Sequence, residues 1–226
     1  MKNLKLFSTS LVAALSLSSA AFGAAAPDID LQIEVAPDID LQIEAAKFII
    51  AIQTDNLEEV QRYLGRPDIY NAVIDDPEIT PKPFHVLEFA ITTAVSFSIQ
   101  DYISEVTEAI LAMPNFETLR RNEHSKRCIS VMFMAALKEQ FYPLIKRLLP
   151  QMTASELQPA LQMALTGSLS DITWYPLACK IMSEIERQAK ANPTDDRTQQ
   201  IFRWSQGLRT DIERLGRGLD EKGAAK

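Results

Sequence analysis

The side chains with the widest chemical reach in this 226-residue chain are few: His85 and His124, Cys128 and Cys179. His124 and Cys128 stand four residues apart, a spacing that would put a base beside a nucleophile on one helix face. His124, however, precedes the helix predicted from Ser125. Neither histidine has another metal ligand at useful helical spacing. The sequence carries no Gly-x-Ser-x-Gly elbow and no glycine-rich phosphate loop. Asp75-Asp76 and Asp195-Asp196 are paired carboxylates of the kind that can do acid–base work, but they read as loop and cap residues. Asp28, Asp30, Asp38 and Asp40 lack the glycine turn and distal glutamate of a calcium loop. No catalytic residue, metal site or cofactor is predicted. Cys128 and Cys179 permit one disulfide in an oxidising compartment; the alternative is two free thiols packed as small hydrophobes.

What remains is chemistry of contact. Arg120-Arg121-Asn122-Glu123-His124-Ser125-Lys126-Arg127 is a local basic patch in a chain of net charge -7. Residues 65–83 hold Pro67, Pro77, Pro81 and Pro83 and read as a long loop carrying Asp75 and Asp76. Arg120, Arg121, Lys126 and Arg127, with Asp75 and Asp76, are the candidate partner contacts. The overall acidity, with a pI of about 5.0, argues against a nucleic-acid ligand, which needs clustered Lys and Arg over a broad face. Hydrophobic residues at 46% and charged residues at 23% describe a chain that folds around a core.

The elements that position these residues begin after a leader. Lys2 and Lys5, the apolar run Leu6 to Leu17, and Ala21-Phe22-Gly23 read as a secretory signal peptide over 1–23, so the mature protein is expected in the periplasm or the medium. The run is too short and too rich in Ser for an anchor, and no later stretch is long enough to span a bilayer. Residues 24–44 form an acidic linker in which Ala26–Glu34 recurs identically as Ala36–Glu44. Alternation of Ile and Leu with acidic residues suits a strand. The other reading absorbs the second copy into a first helix, with Pro37 early in it and Asp38 and Asp40 at the positive end of its dipole.

From Glu44 the period is helical. Helices are predicted at Ala45–Thr54, Leu57–Leu64 (capped by Asp55 or Asn56), Phe84–Ser96, Gln100–Met113, Ser125–Leu137, Tyr142–Leu149, Leu157–Leu165 and Asp171–Ala189. Thr153 and Glu156 have capping-box spacing, and Gly167 is read as a helix stop. Residues 194–220 form a long amphipathic helix, with Thr194 as cap and Ile201, Trp204, Leu208, Ile212, Leu215 and Leu219 as its stripe. Gly207, Gly216 and Gly218 make that helix dependent on packing, and self-association through 195–219 is its alternative use.

Ala51-Ile52-Gln53-Thr54-Asp55-Asn56-Leu57-Glu58-Glu59-Val60-Gln61-Arg62-Tyr63-Leu64 resembles an ankyrin repeat: a small Ala where two helices meet, a short turn, then Leu and Val on the buried face of the second helix. The Ala-to-Leu interval recurs at Ala135–Leu148 and Ala164–Leu177. Phe48, Leu87, Met132 and Leu161 each stand three before an Ala. The stretch from Asp68 to Pro81 resembles the loop that joins two repeats. The family's Thr-Pro-Leu-His tetrapeptide is intact nowhere, and the Ala positions 51, 90, 135 and 164 are unevenly spaced. The resemblance implies an all-α fold of stacked antiparallel helical hairpins over 45–190, ankyrin-like or another α-solenoid, and a non-catalytic role in binding a protein partner. An exported helical hydrolase or toxin, and a self-associating envelope protein, are the competing functions.

Overall fold

The structure is a computed structural model; the residues it describes are 39–75, 83–97, 102–120, 126–171 and 173–209. The leader, the first tandem copy, Asp76, Arg121, His124 and the stripe residues Ile212, Leu215 and Leu219 lie outside them. The described residues are mostly helical with almost no strand. They fall into two compact units, one mainly up to Ile99 with Ile103–Phe116, the other mainly Glu117–Arg120 with Lys126 onward. The stretch 45–190, read above as one repeat domain, contributes to both.

In the first unit α1 (Ile39–Gln53) takes in most of the second tandem copy, so those residues are helical rather than strand. Ala45, Phe48, Ile49 and Ile52 recur at helical spacing and are buried, which is why the alternation of the preceding residues does not prevail. Asn56 caps α2 (Leu57–Leu64) by accepting the Glu59 N–H at 3.2 Å. The Phe48 and Tyr63 rings meet at 5.4 Å across the hairpin, a pair favoured beyond its buried area. The segment 65–83 is not a plain loop. It contains a single turn of helix, α3 (Pro67–Tyr70), and β1 (Val73–Ile74), which pairs antiparallel with β2 (Phe84–His85). Pro67 suits the first turn of α3 because that position needs no N–H. Helix α4 (Val86–Phe97) therefore starts two residues later than predicted. Ser104 caps α5 (Glu105–Leu111). Helix α1 packs on α2 and α4, α2 on α5, and α4 on α5.

The second unit comprises α6 (Cys128–Lys138), α7 (Tyr142–Leu148), a 3-10 turn (Leu149–Gln151), α8 (Ala154–Ser168) and α9 (Trp174–Ala191), followed by helical residues 196–209, here α10. Helices α8 and α9 pack along one another through Leu157, Leu161, Leu177, Ile181 and Ile185, all with 0% exposure; each such burial contributes roughly 1.5–3 kcal/mol. Helix α8 does not stop at Gly167. The glycine lies in its last turn, where an added Cβ would stand 2.5 Å from the Trp174 ring. Gly167 is required by that close approach, not by a left-handed cap. Asp195 rather than Thr194 begins α10: its carboxylate accepts the Arg197 N–H at 3.3 Å and the Thr198 hydroxyl. Gln199 donates to the Ala189 and Asn192 carbonyls at 2.7 and 3.3 Å, which satisfies groups left over at the end of α9. Ile201 is buried, and Trp204 and Leu208 are half-buried, as a packed stripe requires. No helix among the described residues is long and apolar enough to cross a membrane.

Candidate interaction site

Two turns and two short antiparallel pairings recur among the described residues. The turn between α1 and α2 and the turn between α6 and α7 share one hydrogen-bond pattern. Asp55 and Gln140 both sit at φ 53°. Asn56 donates to the Ala51 carbonyl at 2.9 Å, and Phe141 donates to that of Ala136 at 2.8 Å. Asp55 and Gln140 donate to Ile52 and Leu137, each at 3.1 Å. This is the Schellman arrangement, with the left-handed residue just past the helix end. It fixes the equivalence of the two hairpins: Phe48, Ala51, Val60 and Leu64 correspond to Phe133, Ala136, Ile145 and Leu149. The sequence intervals instead point to Met132, Ala135 and Leu148, one residue out of phase. Two adjacent alanines, both buried, made the choice ambiguous.

The short antiparallel pairings, which we term fingers, precede α4 and α6. In the first, Val73 pairs with His85 and Ile74 with Phe84, and the Val86 N–H donates to the Ala72 carbonyl at 3.0 Å. Ile74 is buried and Phe84 lies 5.0 Å from Phe89. In the second, Arg120 and Arg127 form a single antiparallel bridge, and the Cys128 N–H donates to the Leu119 carbonyl at 2.8 Å. Asp75 is exposed immediately after β1. Arg120 and Lys126 are exposed on the two sides of the second finger. Asp75 belongs to the first finger, and Arg120, Lys126 and Arg127 belong to the second.

Arg127 is not a solvated member of the basic patch. Its Nε donates to Glu156 Oε1 at 2.7 Å and its Nη2 donates to Glu156 Oε2. Nη2 also reaches the Gln151 carbonyl at 3.2 Å, and Nη1 reaches that of Glu117 at 3.5 Å. The two side chains are only 19% and 20% exposed. Glu156 further accepts the Ser130 hydroxyl, and the Thr153 N–H and hydroxyl at 2.8 and 2.7 Å. The capping box at Thr153 is present as predicted. Its glutamate has a second task that no spacing reveals: its charge faces the start of α6, whose first turn holds no acidic residue of its own. Burial pushes the Glu156 carboxyl up, but the Arg127, Ser130 and Thr153 hydrogen bonds outweigh it and hold the group down at about 2. The same contact raises the Arg127 guanidinium further above its ordinary range.

His85 is half-buried in β2. Cys128 is buried at the start of α6 and Cys179 is half-buried in α9, and the two are not joined by a disulfide in the structure. Among the described residues no three His, Cys, Asp or Glu come together as a metal site would require. Compared with protein-family models, curated proteins and solved structures, the chain matches none.

Proposed function

We propose that this chain is an exported, non-catalytic binding module built from degenerate ankyrin-like hairpins, and that it holds a protein partner through its fingers. The observation that carries the reading is the recurrence of one turn and one finger along the chain. Each finger leads directly into the first helix of a hairpin, α4 or α6. The exposed Arg120 and Lys126 favour an acidic surface on the partner at the second finger. The leader read from residues 1–23 supports export. Affinity capture of the mature, tagged protein from its own cell envelope and medium, with lysine crosslinking, tests the reading. One enriched protein crosslinked through Lys126 is the expected result. Capture of nothing above background, or only self-crosslinks from the C-terminal helix, would overturn it.

A further inference from the structure

The contacts of Glu156 extend beyond its own helix, and every one of them lies within the second unit. We infer that Glu156 is a positioning residue for the second finger, a charged latch that fixes the base of that finger from α8. Among the described residues the base of the finger is joined by the bridge of Arg120 to Arg127 and by the hydrogen bond from Cys128 to Leu119. The Arg127 side chain adds contacts to both sides of this base. Its guanidinium reaches back to the Glu117 carbonyl on the incoming side and forward to Glu156 and the Gln151 carbonyl beside α8. Planar, bidentate pairing sets direction as well as energy, because the fork and the carboxylate fit in one orientation. Ser130, one turn into α6, is bound to the same carboxylate. One acidic side chain thus fixes both the strand that leaves the finger and the helix that follows it.

This inference rests on the finger-binding reading for its purpose but not for its test. Glu156→Gln separates latch from cap. Glutamine at the third helical position keeps the capping box, so α8 still starts at Thr153, but it carries no charge for Arg127. Amide hydrogen exchange on the full chain reads the result directly. In the variant the Cys128 amide should exchange at least about tenfold faster, the effect of losing a charge-assisted bond. Amides inside α9 and in the α1–α2 hairpin should keep their rates. Unchanged exchange at Cys128 would overturn the latch. Uniform loosening of the whole second unit would overturn it as well, since Glu156 would then be a stability residue with no particular hold on the finger. Exchange is measured without a partner, so failure of the capture experiment would leave this result standing, and the converse also holds.

Discussion

The two fingers are held at their bases by opposite means. The first uses two paired residues per strand, a buried Ile74 and the Phe84–Phe89 contact. The second, among the described residues, joins the Arg120–Arg127 bridge to the Arg127–Glu156 ion pair. An apolar clasp depends on area removed from water and responds little to pH. A charged clasp depends on both partners staying ionised and fails abruptly when one is lost. One backbone design has therefore been given two different sensitivities.

The largest expected effect tests that contrast. Glu156→Ala strands the half-buried Arg127 and removes the capping box, and should cost about 2–3 kcal/mol in urea denaturation. Phe84→Ala, in the other finger, should cost only about 1–2 kcal/mol because Phe84 is half-buried. Equal losses would erase the distinction. Acid sharpens it. Glu156 titrates near 2 in the folded chain against an ordinary 4.5. A lowered carboxyl stabilises the fold fully above its unfolded value, and that contribution disappears as pH falls from about 5 toward 2. The contribution at neutral pH is at most on the order of 3 kcal/mol. In Glu156→Gln the acid-induced loss of exchange protection at Cys128 should flatten. Protection of the Val86 amide, at the base of the first finger, should be the same in both proteins.

Glycine gives the next pair. Gly167→Ala drives a methyl into the Trp174 ring and should cost about 1–3 kcal/mol. Gly207→Ala meets nothing within 4 Å on α10 and should gain about 1 kcal/mol. Opposite shifts in Tm are expected from one chemical change. The smallest effects concern the shared turn. Gln140→Gly relieves up to about 1 kcal/mol of strain at φ 53° but loses the hydrogen bond that Gln140 Oε1 accepts from the Thr173 hydroxyl at 2.9 Å, so its net gain should be smaller than that. Asp55→Gly should gain less, since aspartate tolerates that region better than glutamine. Differential scanning calorimetry of the two variants would rank them.

What could be read from sequence was local. Helix α2 matches its predicted bounds, Leu57 to Leu64, because its cap, first-turn acids and apolar spacing lie within one short segment. The Thr153–Glu156 box is legible for the same reason. The fingers were not. A two-residue strand carries no periodicity, and β1 and β2 are defined only by each other. The role of Arg127 was hidden because its partner is 29 residues away in sequence; a run of basic letters looks alike whether its side chains are solvated or clasped. Gly167 was recognised as special but for the wrong cause, since the Trp174 ring that demands it lies beyond the end of the helix.

The placement of that tryptophan has an optical consequence. The chain has two tryptophans, Trp174 and Trp204, and both belong to the second unit. Selective excitation of indole therefore observes the second unit alone, while the first contributes only tyrosine. Trp174 lies with its ring over the helical turn at Gly167, so its emission reports whether α8 and α9 remain in register. Far-ultraviolet circular dichroism records helix from both units. Superimposable melting curves from the two signals would mean that the units unfold as one cooperative body, and a gap between them would give each unit its own melting temperature without cutting the chain.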